Sequence, residues 1–577
     1  MDKIWGSILH AYNAANLTHI LWCAGILLTM LILAVLHHCW KNNKKKLILW
    51  RFLCLLPLLA CGAHYYLYVR NCPTFLDSFI PLYAIAVLAL IPMLFAGRKI
   101  GYKIIAFLTA LLTAACAFYF CGTSPNYADF TQQSYTESFR SLVKEMDRKY
   151  ILKEWKEIDF HALEEKYLPA VQEAEQEQNP TKFADTVMRF CNEMHDGHIS
   201  IQYDYDKAQY PSEFETHEYG LSMIGLDNGD VIAVCTTEEA QQKGINDGTI
   251  ITRWNGKPVM QAAQEDVADL NTPVKTNQER IAVLNLAGTG GETVEVSFLD
   301  DSGTEQTAVL NDLGEFRTKQ EAFQAFTQLP QINSMEEYGA LLKENFSTKM
   351  LNDSVGYLKL TAETTGSTAK DIIGYLTGNM TYTRELFREK LRSLKSLGMK
   401  YLVIDLRNNM GGFDEIGCSL CDLLTKEDWY GQGLGIRKNG QYSCVSDHGI
   451  HGDGEFADLK AVALTNYNCA SAGDGTSLYL SKLPNVTLAG ITDPCGCNQE
   501  TGGYAVLSGG IVEVYYPTGL ILDETGVPNV DIRADRVSRN PVEVRIPLDY
   551  DAAMKMFHEK EDYELNWAVS YLLDSAK

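Results

Sequence analysis

Apolar residues are distributed in two different ways along the chain. The first 123 residues contain four long apolar stretches, each near the ~20 residues with which a helix spans a bilayer, namely Leu17–Leu36, Leu47–Tyr68, Phe75–Phe95 and Ile104–Phe120. From residue 124 onward, short apolar runs of strand length alternate with segments of helical periodicity. The pattern predicts an all-α transmembrane region over 1–123 and a mixed α/β region over the rest of the chain.

Basic residues in the short loops predict the orientation of these four stretches. The first and third loops hold most of the lysines and arginines, whereas the second loop holds only Arg70. Because positively charged loops stay on the cytoplasmic side, both the N-terminus and the part after residue 123 should lie outside. We therefore expect a multi-pass protein of the cell membrane, in contact with the lipid bilayer. A transporter or channel is the alternative. Charged residues that would mark an ion path are scarce in these stretches, however, and His64 is the main polar candidate.

Net charge separates the same two parts. The first 123 residues carry ten Lys or Arg and two acidic residues, a net charge of +8, so the remaining residues carry −31 of the total of −23. A region this acidic repels phosphate backbones. We therefore expect no nucleic-acid partner.

Two turns in the second part each follow a short apolar strand. The strand YLVID at 401–405 runs into Arg-Asn-Asn-Met-Gly-Gly at 407–412, and the strand KAVALT at 460–465 runs into Asn-Tyr-Asn-Cys-Ala-Ser-Ala-Gly-Asp at 466–474. In α/β sheets the chemistry gathers at the carboxyl ends of the strands. We expect both turns to open on the same edge of one sheet.

Ser471 stands in the second turn, where the strand passes into a helix that begins at Ala472. The free N–H groups and the positive end of the helix lie beside such a hydroxyl, which is the arrangement that an acyl-transfer nucleophile needs. The N–H groups of Ala472 and Gly411 are the expected oxyanion donors, because glycine lets a backbone approach a ligand closely. The alternatives are a Ser471 that only caps the helix and an ordinary tight turn at Gly411.

His198 is a candidate general base. It follows Asp196 and Gly197, where a helix should end, and it precedes the alternating residues Ile199 and Ile201 of a strand. Such a corner lets an imidazole reach into a cleft. A surface or capping histidine is the alternative.

Other histidines offer further alternatives. His195 and His198 form a potential metal pair that lacks additional ligands. His448 and His451 are expected in a Gly/Asp-rich loop after the core strand, where either is a second candidate for the base.

Eight of the fifteen cysteines lie after residue 123. The pairs Cys418/Cys421 and Cys495/Cys497 are spaced like zinc ligands, but neither has a convincing second pair. We therefore expect neither a metal nor a cofactor. A disulfide between Cys469 and the Cys495/Cys497 loop stays open, because geometry decides it.

Residues 216–315 are predicted to form a separate, β-rich unit. Tyr219-Gly-Leu-Ser, Gly244-Ile-x-x-Gly and Trp254-Asn-Gly-Lys-Pro-Val occur there in this order. These segments resemble a PDZ domain. The resemblance implies that the loop at Tyr219 would hold a peptide C-terminus, with the peptide added as a strand.

The succession of motifs resembles the C-terminal processing peptidase and tricorn-type serine peptidase family. After the PDZ-like unit come Gly-Tyr-Leu-Lys-Leu at 356–360, Val-Ile-Asp-Leu-Arg-Asn-Asn-Met-Gly-Gly at 403–412 and Ala-Ser-Ala-Gly-Asp at 470–474, and the resemblance covers about 196–532. It implies an α/β core of the ClpP/crotonase-like type. It also implies a serine endopeptidase that hydrolyses peptide or protein substrates, with Ser471 as the nucleophile.

The two branches of this family use different bases. Processing peptidases use a lysine about two dozen residues after the serine, but no lysine occurs here between Lys482 and Lys555. The tricorn-like branch uses a histidine that lies before the PDZ unit, and the Asp-Gly-His motif matches it. The resemblance therefore implies His198 as the base.

Two positions depart from the pattern of the tricorn-like branch. In that branch a serine precedes the histidine, and a glutamate near the end of the domain orients this serine. Here Gly197 takes the first position, and the second falls at Asp523, beside Glu524. The departures leave open a catalytically inactive peptide-binding or sensor protein of the same fold.

The sequence thus predicts a multi-domain protein with four parts. They are four transmembrane helices over 1–123, a helical N-terminal part of the peptidase over 124–215, the PDZ-like domain over 216–315 and the α/β serine peptidase core over 316–577.

Overall fold

The structure is a computed structural model of the chain. It describes residues 126–204, 207–208, 217–267, 272–314, 317–330, 337, 343–438 and 441–574, together with 25, 28–29, 32–33, 35–40, 42–64 and 66. The third and fourth predicted transmembrane stretches, Phe75–Phe95 and Ile104–Phe120, lie outside the described residues.

Eighteen strands occur in the described residues. In chain order they are β1 (Asn126–Asp129), β2 (Ser200–Tyr203), β3 (Ser222–Gly225), β4 (Val231–Val234), β5 (Ile251–Trp254), β6 (Lys257–Pro258), β7 (Thr293–Leu299), β8 (Glu305–Asn311), β9 (Thr348–Met350), β10 (Val355–Lys359), β11 (Tyr401–Asp405), β12 (Trp429–Lys438), β13 (Gln441–Ile450), β14 (Lys460–Leu464), β15 (Val486–Gly490), β16 (Gln499–Val506), β17 (Val512–Leu522) and β18 (Val544–Arg545).

The described residues also form fifteen α-helices, one 3₁₀ turn and one π-helical turn. The α-helices are α1 (Lys44–Leu53), α2 (Leu56–His64), α3 (Tyr135–Lys149), α4 (Phe160–Glu177), α5 (Pro180–Asn192), α6 (Glu238–Gln242), α7 (Val259–Glu265), α8 (Lys275–Leu286), α9 (Thr318–Thr327), α10 (Thr368–Thr377), α11 (Thr381–Ser396), α12 (Asp414–Leu424), α13 (Ala472–Ser481), α14 (Tyr550–Ala553) and α15 (Tyr563–Asp574). The two turns are Ser508–Gly510 and Met554–His558.

The predicted transmembrane stretch Leu47–Tyr68 is not one helix. It contains the end of α1 and the whole of α2, which are separated by a turn at Cys54 and Leu55. Pro57 has no backbone N–H and stands in the first turn of α2, where a helix tolerates proline. At ~1.5 Å per residue, helices of this length reach about half the thickness of a bilayer core.

The described residues contain no helix with both the length and the apolar character to cross a membrane. The predicted all-α transmembrane region was therefore wrong, and so was the multi-pass membrane localisation with an extracytoplasmic second part. The expected contact with the lipid bilayer stays a prediction. The error came from counting apolar residues, which does not reveal where a helix is interrupted.

A mostly parallel sheet forms the centre of the second part of the chain. Its strand order is β18-β15-β14-β11-β10-β9, and only the edge strand β9 runs antiparallel. Successive residues of β11 face opposite sides, so that Leu402 and Ile404 pack with α11, α12 and α13 while Val403 packs with α9 and α15. Helices thus cover both faces of the sheet, as buried parallel strands require. The α/β core predicted from the sequence is confirmed.

A second six-stranded sheet joins the two ends of the described region. Its order is β1-β16-β17-β12-β13, with β2 also paired to β17. Residues 126–129, which were expected to be helical, form the strand β1 because they pair in parallel with β16. Helices α3, α4 and α5 pack on this sheet through Phe139, Phe160 and Phe190. The pairing of β2 with β17 carries the segment before β2, with His198, to the C-terminal part of the chain.

The strands between residues 217 and 314 follow the predicted order but form two separate sheets. One is the pair β3-β4 and the other is β6-β5-β7-β8, and a single isolated bridge between Ile232 and Ile250 connects them. The side chains of β3 and β4 are divided between this unit and the α/β core, because Ile224 and Ile232 pack with residues of the core. The prediction of an inserted PDZ domain as part of the fold class is therefore not supported.

Candidate active site

The two predicted turns lie side by side at the carboxyl edge of the parallel sheet. Strands β11 and β14 are paired in parallel, with Asp405 opposite Leu464. Beyond the strands, the N–H of Ala470 donates to the carbonyl of Asn409 at 2.9 Å, and the N–H of Asn408 donates to Oδ1 of Asn466 at 3.0 Å. The expectation that both turns open on one edge is confirmed.

Ser471 has a strained backbone at the start of helix α13. Its φ of 57° and ψ of −134° are rare for a residue with a side chain, and such strain is concentrated at functional sites. The Ser471 side chain does not cap the helix, so the alternative of a simple capping serine has no support in the described contacts. Ala472 is the first helical residue, and its N–H is one of those for which a helix has no internal acceptor.

Gly411 packs directly against the Ser471 turn. A Cβ atom at Gly411 would lie 2.5 Å from Cβ of Ser471 and 2.8 Å from the backbone nitrogen of Ala472, and Gly411 also has a φ of +88°. Only glycine fits both conditions. The structure thus brings Ser471, Ala472 and Gly411 together, but the N–H of Gly411 donates to Oδ1 of Asn409 at 2.9 Å. The oxyanion role of Gly411 stays a prediction.

A buried glutamate supports this glycine turn. Glu363 pairs with Gly412 through its backbone, and its Oε1 accepts hydrogen bonds from Nδ2 of Asn409 at 3.1 Å and from Oγ1 of Thr476 at 2.7 Å. Its Oε2 is buried with no hydrogen-bond partner among the described residues. Burial raises the pKa of the Glu363 carboxyl to about 8. Glu363 was not predicted as a site residue, because no local pattern in the sequence indicates that it is buried.

The turn that carries His198 is stabilised by hydrogen bonds to the buried carboxylate of Asp196. The N–H of His198 donates to Oδ1 of Asp196 at 2.9 Å, and the Tyr150 hydroxyl donates to Oδ2 of Asp196 at 2.6 Å. Nζ of Lys156 donates to the carbonyls of Met194 and His195. Helix α5 ends at Asn192, earlier than predicted. The fixed turn between α5 and β2 sets where the imidazole points.

Cys497 contacts both Ser471 and His198. The N–H of Ser471 donates to the Cys497 carbonyl at 2.8 Å, while the Cys497 sulfur lies close enough to the His198 imidazole to interact with it electrostatically. Burial alone would lower the pKa of His198, but the Cys497 sulfur and the Asp196 carboxylate outweigh it and raise that pKa above its usual value. Nδ1 of His198 is buried and has no hydrogen-bond partner in the described part of the chain, which calls for a functional explanation.

The Cys497 and Cys495 sulfurs explain why a glycine precedes His198. A Cβ atom at Gly197 would lie 2.8 Å from Sγ of Cys497 and 3.0 Å from Sγ of Cys495. The two thiols occupy the space into which a serine side chain would extend from position 197. The Cys497 and Cys495 sulfurs therefore lie where the tricorn-like pattern has the side chain of that serine.

The loop that carries these two cysteines is fixed to the nucleophile helix. Asp474 accepts hydrogen bonds from the N–H of Gly496 at 2.7 Å and of Cys497 at 3.3 Å through Oδ2, and from Nδ2 of Asn540 at 3.0 Å through Oδ1. Burial raises the pKa of Asp474 to about 7. Asp474 closes the Ala-Ser-Ala-Gly-Asp motif, so the sequence did mark its position but not its partners.

The structure does not place Asp523 in this cluster. Its Oδ1 accepts hydrogen bonds from the N–H and hydroxyl of Thr525, so that it organises its own turn after β17. A different carboxyl, Asp531, lies behind the cysteine loop, where its Oδ1 accepts from the N–H of Asn498 at 3.3 Å and its Oδ2 is buried without a partner in the described residues. Burial and the nearby Asp196 raise the pKa of Asp531 to about 7. The orienting role of Asp523 stays a prediction.

The other histidines lie in different surroundings. Nε2 of His195 lies 3.4 Å from a guanidinium nitrogen of Arg536, and burial and this arginine lower the pKa of His195 to about 4. His448 belongs to strand β13 rather than to a loop, and His451 is exposed just after that strand. Within the described residues, no group of three or more His, Cys, Asp and Glu side chains could hold a metal ion.

Comparison with known proteins identifies part of the chain. Residues 354–526 match peptidase family S41. The matched segment includes Gly411, Ser471, Ala472 and Asp523, while His198 lies outside it. No curated protein sequence matches the chain.

Several solved structures resemble the fold. Mature CPAF complexed with lactacystin is similar with a TM-score of 0.50 and 12% identity, over 77% of this chain and 99% of that chain. The photosystem II D1 C-terminal processing protease has a TM-score of 0.33 and 16% identity, over 75% and 98% of the two chains. The tricorn protease has a TM-score of 0.31 and 15% identity, over 77% of this chain and 37% of that chain. The first of these likenesses shows a shared fold.

The family match confirms the predicted enzyme class. Residues 354–526 match peptidase family S41, and the protein is a peptidase and therefore a hydrolase. The resemblance to C-terminal processing and tricorn-type peptidases agrees with this match. A PDZ domain is not identified by it, and the capture of a C-terminal carboxylate at the Tyr219 loop stays a prediction.

Proposed function

We propose that the protein is a serine endopeptidase that hydrolyses peptide or protein substrates through an acyl-enzyme on Ser471, with His198 as the general base. The observation that carries the proposal is the position of Cys497, whose carbonyl accepts the Ser471 N–H and whose sulfur interacts electrostatically with the His198 imidazole. Residues from distant parts of the chain meet there, beside a strained serine at a helix N-terminus.

The first half of the proposed reaction forms the acyl-enzyme. The Ser471 hydroxyl attacks the scissile carbonyl carbon while the unprotonated nitrogen of His198 takes the hydroxyl proton. The negative charge that develops on the carbonyl oxygen meets the N–H of Ala472 at the positive end of α13. His198 then donates its proton to the leaving amine, and the peptide bond breaks.

A second oxyanion donor has to come from the glycine turn. Gly411 provides it only if its N–H leaves Asn409, whereas the neighbouring N–H of Gly412 has no described acceptor and belongs to the same turn. In the second half of the reaction, water attacks the ester with His198 as the base and releases the acid product.

Covalent labelling with a fluorophosphonate probe tests the proposal. We expect wild-type protein to be labelled at Ser471, Ser471→Ala not to be labelled, and His198→Ala to be labelled at least about 100-fold more slowly, because general-base activation contributes about that factor. Ser481→Ala at the other end of α13 and His451→Ala on the surface are the matched controls, and both should be labelled like wild type. Slow labelling of His451→Ala would instead make that residue the base.

The engaged N–H of Gly411 favours one alternative, a peptide-binding protein of the same fold that does not cleave. Such a protein would leave Ser471 unlabelled in the wild type, yet it would bind peptides. Labelling of wild type that depends on His198 rules this alternative out.

A further inference from the structure

Two thiols meet directly behind His198. In the tight turn Cys495-Gly496-Cys497, the S–H of Cys497 donates to Sγ of Cys495 across 3.2 Å, and Gly496 has a φ of +81°. All three cysteines of this region, including Cys469, are free thiols. Cys469 only contributes its carbonyl, which accepts the N–H of Cys495 at 2.9 Å. The two sulfurs that face each other are therefore those of Cys495 and Cys497, rather than a pair with Cys469.

The thiol pair is largely buried, but its two cysteines differ in exposure. Cys497 is fully buried, whereas Cys495 retains 9% of its exposure, and Gly197 beside both sulfurs is exposed. A small reagent that approaches over Gly197 reaches Cys495 first. Because Gly197 has no side chain, it also leaves space through which a small reagent can approach the two sulfurs.

We propose that Cys495 and Cys497 are a reversible thiol–disulfide switch that reacts with small-molecule disulfides and that oxidation lowers the turnover of the peptidase. The effect on turnover rests on the proposed function, whereas formation of the bond does not. The two sulfurs need to approach each other by only about 1.1 Å to reach the length of a disulfide bond.

The oxidation proceeds by two exchanges. The Cys495 thiolate attacks one sulfur of a disulfide R–S–S–R, which forms a Cys495–S–S–R bond and releases one thiolate RS⁻. Cys497 passes its proton to His198 and attacks Sγ of Cys495, which forms the Cys495–Cys497 bond and releases the second RS⁻. The two thiolates take up the protons from Cys495 and His198. Two protein thiols and one disulfide thus become one protein disulfide and two small thiols.

Oxidation removes the sulfur partner on which His198 depends. The disulfide holds Sγ of Cys497 toward Cys495 and leaves it with no thiol proton to exchange with His198. His198 then loses the contact that favours its protonated form, which is the form that the base must take during catalysis. Substrate contacts at the glycine turn do not involve this sulfur, so KM should change little.

The experiment uses the full chain, treated with hydroxyethyl disulfide and then quenched with N-ethylmaleimide. Peptide mass analysis should show the loss of two hydrogens in the Cys495–Cys497 peptide. We expect kcat to fall about tenfold, as for loss of part of a general-base contribution, with KM almost unchanged and full recovery after dithiothreitol. Cys444→Ser, which removes an exposed thiol in β13, should respond like wild type, and Cys495→Ser should give equal kcat before and after oxidant.

An independent readout separates this switch from the peptidase activity. The pKa of His198, followed by NMR with His198→Ala to assign the signal, should fall when the disulfide forms. A protein that cleaves no peptide would overturn the proposed function but would still show the bond and the lower pKa. The switch is overturned if no Cys495–Cys497 bond forms, if the oxidised enzyme keeps or gains turnover, or if the pKa of His198 does not move.

Discussion

At the scale of single residues, the site is defined by what stands beside His198. A serine at position 197 was expected from the family pattern, and its absence left the orientation of the histidine unexplained. The structure shows that Gly197 and Cys497 form a complementary pair, since the thiol fills the space that a side chain at 197 would need. The glycine at position 197 and the thiol at position 497 therefore depend on each other, although they lie far apart in the sequence.

Restoring the serine should damage the enzyme. In Gly197→Ser the new side chain would meet Sγ of Cys497 and Sγ of Cys495 at 2.8 and 3.0 Å, so the turn before His198 has to shift. We expect kcat/KM to fall by about 100-fold, since small misplacements of a catalytic group cost that much. The double variant Gly197→Ser with Cys497→Ala should recover part of the loss, and Gly291→Ser, where the added side chain meets open space, should behave like wild type. Full activity in Gly197→Ser would contradict the packing argument.

The pKa of His198 predicts the pH dependence of the reaction. A general base must be unprotonated in the free enzyme, so kcat/KM should rise with pH through the pKa of His198. Because that pKa is raised, the half-maximal point should lie above the ordinary value of about 6.5. Cys497→Ala removes one group that raises the pKa, so the acid limb should move to lower pH, whereas Cys421→Ala, which removes a buried thiol elsewhere, should leave it in place. A limb at or below the ordinary histidine value in wild type would remove His198 as the base.

At the scale of elements, the strands, helices and turns that depend on residues adjacent in the sequence were predicted. Strands β11 and β14, helix α13 and the two turns after the strands were all predicted, because apolar alternation and the Gly-Gly and Ala-Ser-Ala-Gly motifs are local signals. The Cys495–Cys497 loop was not assigned to the site, because its role depends on Asp474 and on His198, which come from other elements. The same reason explains why Asp531 was not recognised in the sequence. A short motif does not reveal which carboxyl is buried.

Asp474 is the connection between two of these elements. In Asp474→Asn, an NH₂ group replaces one of the oxygens that receive hydrogen bonds from Gly496, Cys497 and Asn540. At least one buried N–H then loses its acceptor, which should lower the free energy of unfolding by about 1–3 kcal/mol. Turnover should fall as well, because the loop that carries Cys497 is released. Denaturant unfolding and kcat measure the two effects, with the exposed Asp551→Asn as the control, and a variant as stable and active as wild type would show that Asp474 does not hold the loop.

At the scale of the whole molecule, the α/β core was predictable and the flanking units were not. The core has strands that are apolar on both faces and helices with one apolar face, so its class follows from pattern alone. The N-terminal stretches have enough apolar residues to span a bilayer, yet the described part breaks into the short helices α1 and α2. The β-rich character of residues 216–315 was predicted, but the strands found there divide into two sheets. Which strands pair with each other is decided by contacts between residues far apart in the sequence. The order of motifs along the chain does not determine these contacts.

Buried carboxyls make the stability of the molecule depend on pH, and Glu363 offers the clearest test. Its pKa is about 8 in the folded protein because it is buried, whereas an unfolded chain releases the proton near the ordinary value of about 4.3. Between these two values the folded state holds a proton that the unfolded state has lost. Raising the pH in this range therefore favours unfolding, by up to about 1.4 kcal/mol per pH unit for a single group.

Glu363→Gln should remove this contribution while it keeps the acceptor for Asn409 and Thr476. Asp474, Asp531 and Glu564 also have pKa values raised to about 7, but they contribute equally to both proteins. The difference between the free energies of unfolding of Glu363→Gln and wild type, measured with urea at several pH values, should therefore grow in favour of the variant from about pH 5 to pH 8. The exposed Glu389→Gln should show a flat difference. If the difference for Glu363→Gln is also flat, Glu363 is ionised in the folded protein. The interpretation that a neutral Glu363 carboxyl stabilises the glycine turn would then be wrong.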